Sequence, residues 1–401
     1  MSGVSRESLS TAVLRPRPDR GRADGAGAPA VGATRRHGRR LRIADVTLWY
    51  GERSGGIKSY LDAKRRHAAI TGAYEHHVIV PGPRDDEGDG MHRIRGVRVT
   101  RNDYRIPPGG GGLRRTIERL RPDVLLLHDP FWTPRQAIAA AHGAGALVVA
   151  VHHGSAALAA AGMPGPDAAW LPVFRAWMHH AYRDVDAIMS VIDPVPDSGR
   201  AADLPLRLGL DPAFRPQPDV VRGDHVLYAG RLSRSKGVGE LLRATRDGDW
   251  RLELVGDGPW RTALPAEIEA LGLSDRVTLG DYVRDPAELA RRYAAASCVV
   301  MPGPNETFGL VGLEAAACGA RVVTCESAPS AAAIGSLGHG YRAGDVDGLR
   351  RAIEAARRAA PDAGAAAALA WRHGWTVLFH QELRDMVDLL ERRRRRGAVA
   401  A

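Results

Sequence analysis

The stretch GPNETFGLVGLEAAAC, residues 303–318, predicts a turn followed by a helix. It comes directly after the apolar run SCVVMP (297–302), which is typical of a buried parallel strand. Glu306 stands just before the expected helix start, and Glu314 lies inside the helix. At a rise of ~1.5 Å per helical residue, eight steps separate the two carboxylates by about 12 Å along the axis. The stretch therefore predicts a strand–turn–helix unit that carries two spaced acidic groups.

The expected start of this helix is a candidate phosphate-binding site. The N–H groups of Phe308, Gly309 and Leu310 have no partner inside a helix that begins there, and the helix dipole favours an anion at that end. A ligand with hydroxyls at both ends and a diphosphate in the middle fits between Glu306 and Glu314, and a sugar nucleotide has that layout. The alternative is a plain structural unit with one capping Glu and one partly exposed helical Glu.

A second motif, VLYAGRLSRSKGVGELLRA (226–244), predicts a strand, a loop and a helix. Arg231 and Lys236 both lie on the loop, where two cations balance the charges of a diphosphate leaving group. The alternative is a pair of solvated surface cations. Composition weakens that alternative, because the chain has only three lysines, at positions 58, 64 and 236, and one of them falls in this loop.

Strand, glycine turn and helix then recur along the chain. RLELVGDGPWR (251–261) and DRVTLGDYV (275–283) each predict a strand that ends in a Gly-containing turn, and a helix is expected at 285–296. This order predicts an α/β fold with a doubly wound parallel sheet, in which ligands bind at the carboxyl ends of the strands.

The segments GRLSRSKG, LVGDGPWR, VTLGDYV and NETFGLVGLEAAACG resemble, in that order, the donor-binding half of retaining GT-B glycosyltransferases of family 4. The resemblance covers residues 41–390 and is most specific in 226–326. It implies a GT-B fold: two Rossmann-like doubly wound domains, an interdomain cleft and a C-terminal helix that crosses back to the N-terminal domain. The expected divisions are a disordered basic tail at 1–40, an acceptor-binding domain at 41–205, a donor-binding domain at 206–365 and the crossing helix at 366–396.

The N-terminal half contains further expected strands. They lie within 41–50, 121–132 and 146–155, and a final one within 184–193. His128 and His152 each stand at the carboxyl end of such a strand, where a histidine is as often structural as functional.

The resemblance also implies a set of site residues. It favours His152 as the residue near the donor sugar, with His153 as the substitute if the register differs. The residues implied in catalysis are His152, Arg231, Lys236 and Glu306, and those implied in donor binding are Gly55, Gly56, Arg231, Lys236, Val283, Phe308, Gly309, Leu310 and Glu314.

Composition limits the function classes. A chain of 401 residues is long enough for two cores, and its three cysteines indicate a reducing, cytoplasmic location rather than disulfides. The first forty residues lack the apolar core of a signal peptide, and no apolar run is long enough for a membrane span. Of the net charge of +10, residues 1–40 contribute +6 and residues 391–396 contribute +4, so the remainder is neutral. This argues against a nucleic-acid partner and leaves peripheral contact of the C-terminal arginines with anionic lipid as an alternative.

No cofactor and no metal are expected. Asp184-x-Asp186 and Asp345-x-Asp347 spell the pattern that holds a divalent cation in other glycosyltransferase folds. The first pair begins an expected strand and the second opens an expected helix, where acids cap the N-terminus. Arg231 and Lys236 already supply positive charge for the diphosphate.

The spacing of Glu306 and Glu314 exceeds that of a glycosidase pair, and no nucleophile is evident. The resemblance implies a retaining, front-face transfer in which the departing diphosphate takes the acceptor's proton. The partners are then a nucleotide-sugar donor, with UDP-sugar favoured, and a small-molecule acceptor. Alternatives of another class are a non-catalytic GT-B scaffold and a sugar-nucleotide epimerase.

The acceptor is suggested by the N-terminal half. LRIADVTLWYGERSGGIKSYLDAKRR, HDPFWTPRQ and VHHGSAALAAAGMPGPD resemble enzymes that add the second sugar to 2-deoxystreptamine aminoglycosides, with acceptors such as paromamine or neamine. They are next most similar to GDP-mannose-dependent phosphatidylinositol mannoside mannosyltransferases. A polyamine acceptor favours carboxylates in the cleft, and a lipid acceptor favours a basic edge such as Lys64-Arg65-Arg66. The acids expected near the cleft are Asp45, Glu52, Asp62 and Asp129.

Overall fold

Two parallel sheets organise the chain, as expected from the repeated strand–turn–helix pattern. The structure is a computed structural model that describes residues 35–36, 39–51, 56–99, 104–153, 160, 163, 166–190, 202–303, 306 and 309–400. These residues form an eight-stranded sheet in the N-terminal half and a six-stranded sheet in the C-terminal half.

The N-terminal half contains the larger sheet and its flanking helices. Its elements are β1 Arg35–Arg36, β2 Arg39–Arg40, β3 Arg42–Val46, α1 Gly56–Thr71, β4 Glu75–Gly82, β5 Asp86–Gly88, β6 Met91–Arg95, β7 Val97–Arg98, β8 Arg105–Ile106, α2 Gly111–Leu120, β9 Val124–Leu127, α3 Pro134–Gly143, β10 Leu147–His152, α4 Asp167–Tyr182, β11 Ala187–Ser190 and β12 Ala202–Pro205.

The C-terminal half contains the smaller sheet and the closing helices. Its elements are β13 Val226–Ala229, a short 3₁₀ turn Arg234–Lys236, α5 Val238–Arg246, β14 Leu252–Val255, α6 Leu264–Ala270, β15 Val277–Gly280, α7 Pro286–Ala295, β16 Cys298–Met301, α8 Leu310–Ala317, β17 Val322–Cys325, α9 Ala331–Ile334, a second 3₁₀ turn Gly335–Leu337, β18 Gly338–Tyr341, α10 Val346–Arg358, α11 Ala363–Arg372 and α12 Trp375–Ala400.

The strand order follows the doubly wound plan. The larger sheet runs β12-β11-β10-β9-β3-β4-β6-β5 and the smaller one β15-β14-β13-β16-β17-β18. All neighbours in the smaller sheet are parallel, and in the larger sheet only the edge strand β5 is antiparallel. The order reverses on either side of β13, which puts a switch point beside the loop that follows β13.

Both faces of each sheet are covered, which explains the unbroken apolar strands. In β13, Val226 and Tyr228 belong to one buried cluster, and Leu227 and Ala229 belong to the cluster on the opposite face. Such strands read as continuous apolar runs because neither side meets water. The sequence pattern of β13 is therefore the consequence of helices on both faces.

The closing helix packs against the N-terminal half, as the resemblance implied. Trp375 and Phe379 of α12 lie against Tyr60 of α1, with ring centroids 5.9 and 5.5 Å from that of Tyr60. The segment 207–216, which connects the two halves, also contacts the residues just before α12, since the Leu210 N–H donates to the His373 carbonyl oxygen at 2.8 Å. The described residues from 35 onward lie within one compact unit.

Several boundaries differ from the sequence prediction. The strand within 184–193 is not the last of its sheet, because β12 pairs in parallel with β11 at the edge. The closing segment is two helices, α11 and α12, rather than one. At the other end of the chain, residues 35–36 and 39–40 pair as strands, and Arg39 donates to Asp123 at 2.7 Å.

Candidate functional site

A cavity of about 460 Å³ lies where the two halves meet. Four of its residues come from α1. All but one of the others come from the segment 208–214, from the strand ends and loops at the carboxyl edge of the smaller sheet, and from helices α7 and α8. The lining is Gly56, Ser59, Asp62, Arg66, Leu208, Gly209, Asp211, Phe214, Ala229, Gly230, Val255, Gly256, Tyr282, Val283, Arg284, Pro286, Leu289, Tyr293, Leu310, Val311, Glu314 and Trp375. Four predicted donor-binding residues, Gly56, Val283, Leu310 and Glu314, are thus brought together.

Backbone contact between two loops shapes the floor of this cavity. Gly256 follows β14 with φ +147, and a Cβ built there would lie 1.9 Å from the Gly230 carbonyl oxygen. Only glycine permits that approach. The loops after β13 and β14 are therefore held at a fixed separation beside the ligand space.

Gly56 lies at the cavity where α1 of the N-terminal half meets α8 of the C-terminal half. It opens α1, and a Cβ built on it would lie 3.5 Å from Cδ1 of Leu310, the first residue of α8. The N-terminal ends of α1 and α8 consequently face each other. Gly55, its predicted companion, lies outside the described residues.

Lys236 and Glu306 connect the two sequence motifs. Lys236 Nζ lies 2.9 Å from a Glu306 carboxylate oxygen, and both side chains are about three-quarters buried. The loops that carry them are packed backbone to backbone, since a Cβ on Gly237 would lie 2.4 Å from the Pro302 carbonyl oxygen. The sequence analysis assigned the two residues to different parts of the donor, and the structure adds a direct ion pair between them.

Arg231 is the exposed member of the cation pair. Its backbone is fixed because the Tyr228 hydroxyl donates to the Arg231 carbonyl oxygen at 2.8 Å. Its guanidinium forms no ion pair with the residues that the structure describes. It lies next to Gly230, which lines the cavity.

The helix after β16 begins later than predicted. α8 starts at Leu310, and Gly309 is its N-cap with φ +83. The first N–H groups bonded within the helix are those of Gly312 and Leu313, which donate to the Gly309 carbonyl oxygen. The N-terminal N–H groups therefore belong to Leu310 and Val311, while Phe308 lies outside the described residues.

The estimate of 12 Å between the carboxylates of Glu306 and Glu314 assumed that both residues lie on one helix, and that assumption was wrong. Glu306 precedes the first residue of α8 by four positions, so helical rise does not apply to that part of the chain. From Leu310 to Glu314 the rise is about 6 Å. Along the chain the two carboxylates lie on either side of Leu310, the first residue of α8.

Glu314 is a carboxyl group set in a largely apolar wall. Burial raises the pKa of Glu314 to about 7, although the hydrogen bond that Tyr293 donates to it at 3.1 Å acts in the opposite direction. Tyr293 is fully buried on α7. Because no cation balances it among the described residues, Glu314 suits neutral hydroxyl donors such as those of a sugar or ribose.

His152, predicted near the donor sugar, and the adjacent His153 have different contacts. His152 is buried at the end of β10 and meets the edge of Tyr182, with ring centroids 6.2 Å apart. Burial lowers the pKa of His152. His153, the next residue, stacks instead on His128, whose other nitrogen reaches Asp45 at 2.6 Å.

Sequence reasoning missed a buried charged cluster under this strand edge. Asp45 binds Lys64, His76 and His128, and Lys64 also binds Glu382 of α12 at 2.8 Å. Burial by itself would raise the pKa of Asp45, but Lys64 and the hydrogen bonds from His128 and His76 hold it well below its usual value. The signal was a lone lysine in an apolar helix stripe, at the spacing of the buried Tyr60, Leu61 and His67.

Burial of these side chains removes part of the sequence-based support for both acceptors, the aminocyclitol and the lipid. Asp45 is committed to internal partners, and Asp129 is buried on the backbone N–H groups of Leu48, Phe131 and Trp132. Lys64 is 1% exposed, so the expected basic edge Lys64-Arg65-Arg66 does not include it. Glu52 lies outside the described residues. Asp62 binds Tyr50 and Lys58 at the rim of the cavity.

The Asp-x-Asp pairs have structural partners. Asp345 caps α10 by accepting from the Gly348 N–H at 2.7 Å, and Asp186 accepts from the Val148 N–H at 2.8 Å. Within the described ranges, no group of three or more His, Cys, Asp or Glu side chains is placed to hold a metal ion. The absence of a metal requirement stays a prediction.

The ends of the chain bear on membrane contact. No helix in the part of the chain that the structure describes combines the length and apolarity needed to cross a bilayer. Arg393, within the C-terminal arginine run, donates to the Ala146 carbonyl oxygen at 2.5 Å and reaches Asp186 at 3.3 Å. That arginine is therefore part of the folded structure.

Two family models match successive parts of the chain. The model described as Glycosyltransferase Family 4 matches residues 54–197, and the model described as Glycosyl transferases group 1 matches residues 214–356. Together they cover more than half of the chain, one in each half of the fold.

Two glycosyltransferases, one from Arthrobacter and one from Mycobacterium, are similar in sequence to the chain. The chain is 38% identical over 184 residues to D-inositol 3-phosphate glycosyltransferase of Arthrobacter sp. (strain FB24), covering 41% of this chain and 44% of that protein. The first relative is thus matched over less than half its length. The chain is 29% identical over 315 residues to GDP-mannose-dependent alpha-(1-6)-phosphatidylinositol dimannoside mannosyltransferase of Mycobacterium tuberculosis (strain ATCC 25177 / H37Ra), covering 71% of this chain and 79% of that protein.

Among solved structures, Alr3699/HepE from Anabaena in complex with UDP superposes with a TM-score of 0.67 at 17% identity. The superposition covers 87% of this chain and 100% of that chain. At this level of identity the likeness concerns the fold, and it confirms the two-sheet arrangement.

Proposed function

The chain belongs to the glycosyltransferases with a GT-B fold, and from that premise we propose that it moves a sugar from a nucleoside diphosphate donor to a hydroxyl of an inositol-based acceptor. The anomeric configuration of the sugar is retained. The observation that carries the proposal is the cavity in which α1 and α8 meet, with Glu314 in its wall.

The donor side of the proposal uses the loops of the smaller sheet. Arg231 and Lys236 stand after β13, and the N–H groups of Leu310 and Val311 open α8, so positive potential converges where a diphosphate would lie. Glu314 accepts ribose hydroxyls and Glu306 the sugar hydroxyls. Lys236, held by Glu306, then stands between the sugar and the phosphates.

The catalytic contribution is stabilisation of the leaving group. The carboxylates that line the cavity are Asp62, Asp211 and Glu314, and all three already accept hydrogen bonds, from Tyr50, from the Ala213 N–H and from Tyr293 respectively. No free carboxylate in the described lining is thus offered as a nucleophile. Charge stabilisation of the departing diphosphate and orientation of the acceptor supply the rate.

The inositol-based acceptor is favoured by two lines of support. The names of both relatives contain inositol. In this chain, Arg66 lines the cavity beside Ser59 and is exposed, which suits a phosphate on the acceptor. An aminocyclitol such as paromamine or neamine is the second candidate, but it loses the support of Asp45 and Asp129, which are bound internally.

The test is a transfer assay read by mass spectrometry. UDP-glucose, UDP-N-acetylglucosamine and GDP-mannose are each offered with inositol 3-phosphate, phosphatidylinositol vesicles, paromamine or neamine. We expect a product with one added sugar on an inositol-based acceptor. Transfer only to paromamine or neamine would replace the proposed acceptor, and donor hydrolysis or epimerisation without transfer would overturn the proposal.

A matched pair of arginine variants separates phosphate recognition from general effects. Arg66→Ala should raise KM for inositol 3-phosphate at least tenfold and leave KM for unphosphorylated inositol unchanged. Arg114→Ala removes an exposed arginine that pairs with Glu118 on α2, away from the cavity, and should change neither. Equal KM values for wild type and Arg66→Ala would remove Arg66 from the acceptor site.

A further inference from the structure

Another cavity, of about 560 Å³, lies beyond the carboxyl ends of β4 and β6 in the larger sheet. It shares no lining residue with the cavity described above. Its charged lining consists of four arginines and one carboxylate, which gives a formal charge of +3: Arg95, Arg98, Arg105, Arg115 and Asp85. The carboxylate is already engaged, because Asp85 accepts from the Arg95 N–H at 2.7 Å. Doubly wound sheets bind their ligands at this edge.

The start of α2 forms one wall of this cavity. The first hydrogen bond of the helix runs from the Arg114 N–H to the Gly110 carbonyl oxygen, at 2.9 Å. The N–H groups of Gly111, Gly112 and Leu113 therefore have no partner inside the helix. Within the part of the chain that the structure describes, no side chain caps this helix start and no acidic residue lies in its first turn.

A guanidinium group lies where a helix start favours an anion. Arg115 is one turn into α2 and its side chain runs back over Gly111, since a Cβ built on Gly111 would lie 3.5 Å from Arg115 Nη1. The helix dipole opposes a cation at this end. Arg115 forms no ion pair with the described residues. An anion between the guanidinium and the N–H groups would turn this repulsion into attraction.

Close contact between β6 and α2 brings further arginines to the same space. A Cβ built on Gly112 would lie 2.8 Å from Cγ2 of Ile94, the neighbour of Arg95. Only glycine lets the helix start come this near to the strand. Arg105 of β8 is held at the cavity by a hydrogen bond from its Nη1 to the Gly96 carbonyl oxygen at 3.3 Å. Arginines from β6, β8 and α2 therefore line one cavity.

We propose that this cavity binds a phosphate group, held by the N–H groups at the start of α2 and by the guanidinium groups of Arg95 and Arg115. Arginine offers paired N–H donors that match phosphate oxygens, and a dianion balances most of the charge of the lining. The group belongs either to free phosphate or to a phosphorylated acceptor, and the binding chemistry is the same for both. Only the second source rests on the proposed function.

The first arm of the test is calorimetric titration of the full chain with inorganic phosphate at pH 8, with ionic strength held constant by chloride. We expect a site whose affinity falls at least tenfold in Arg115→Gln and in Arg95→Gln. Two controls should keep this site: Arg114→Gln, which removes the adjacent arginine paired with Glu118, and Lys236→Ala in the donor loops. Equal affinity in wild type and Arg115→Gln, no binding in wild type, or a site lost only in Lys236→Ala would overturn the proposal.

The second arm is thermal unfolding with and without phosphate. Without phosphate, Arg115→Gln should unfold at a temperature equal to or above that of wild type, because the substitution removes a cation from a helix start. With phosphate well above the dissociation constant of wild type, wild type should unfold at the higher temperature, since the ligand stabilises the form that binds it. A lower unfolding temperature of Arg115→Gln in both buffers would make the arginine structural and overturn the proposal.

The third arm identifies the source of the phosphate by the transfer assay. We expect Arg115→Gln to leave KM for inositol 3-phosphate unchanged, which assigns the site to free phosphate, because Arg66 of the other cavity is proposed for the acceptor. A rise of at least tenfold would assign the acceptor's phosphate to this cavity instead. If wild type transfers no sugar, the proposed function fails, while calorimetry still decides the phosphate site.

Discussion

Lys236 and Glu306 form an ion pair of 2.9 Å that ties the loop after β13 to the loop before α8. Each residue comes from a different sequence motif, and the pair lies at the switch point of the smaller sheet. Substitutions of the two residues should therefore be coupled rather than independent.

The coupling can be measured as a double-mutant cycle. Lys236→Ala should lower kcat by about 10²-fold or more, because it removes charge that stabilises the leaving diphosphate. Glu306→Gln should lower kcat as well, and the double variant should lose less than the product of the two effects. Arg234→Ala is the matched control, since Arg234 lies on the same turn but stacks over Trp260 at 4.7 Å. Additive losses, or near-normal turnover in Lys236→Ala, would contradict the assignment.

Glu314 is expected to lower the free energy of unfolding at alkaline pH while it contributes to ribose binding. Its pKa is raised from 4.5 to about 7, so the folded protein holds a proton that the unfolded chain releases between those values, and stability falls as pH rises through that window. Glu314→Gln removes this penalty and should unfold at a free energy about 1–3 kcal/mol above wild type at pH 8.5. At pH 4.5 the difference should be small, because Glu314 is then protonated.

The same variant should lose ribose recognition. Wild type should discriminate against a 2′-deoxyribose donor, and Glu314→Gln should largely lose that preference. Urea unfolding at the two pH values and donor competition are the measurements. The control is Glu354→Gln, which removes a carboxylate paired with Arg350 on α10. An equal difference in the free energy of unfolding between Glu314→Gln and wild type at both pH values would show that burial does not raise the pKa of Glu314.

Lys64 should be essential to the fold, whereas Lys58 should not. Lys64 pairs with two buried carboxylates, and Lys64→Met leaves them without this cation at a cost of about 3–5 kcal/mol. Lys58 lies on the same helix and pairs with Asp62 at a partly exposed site, so Lys58→Met should cost less than about 1 kcal/mol. Similar unfolding free energies for both variants would contradict the buried cluster.

Removing Arg393 should weaken the attachment of α12 to the N-terminal half. Arg393→Ala loses hydrogen bonds to Ala146 and Asp186 and should cost about 1 kcal/mol in urea unfolding. Arg395→Ala, four residues from its exposed partner Glu391, should have little effect. If vesicle flotation depends on both arginines equally and stability on neither, the arginine run serves lipid contact instead.

The sequence predicted the sheets better than the contacts between side chains. Strands such as β13 and β16 are buried on both faces, so their apolar runs and the glycine turns after them identify the doubly wound fold. Gly56, Val283, Leu310 and Glu314, which the family resemblance implied as donor-binding residues, line one cavity in the structure.

The remaining features depend on long-range packing. The partnership of Lys64 with Glu382 spans most of the chain, so the position of Lys64 in an apolar helix stripe indicates burial but does not identify its partner. The Asp45–His128–His153 chain joins three strands that are distant in sequence. The later start of α8 follows from the left-handed conformation of Gly309, which residue spacing does not reveal.

The central claim is tested most directly by following one transfer reaction by ¹H NMR. An α-linked nucleotide-sugar donor is mixed with inositol 3-phosphate and the wild-type chain, and anomeric signals are followed from the first minutes. The account predicts loss of the donor signal and growth of an α-linked product, with neither change in Lys236→Ala. A β-linked product, release of free sugar alone, or conversion of the donor to its epimer would contradict it.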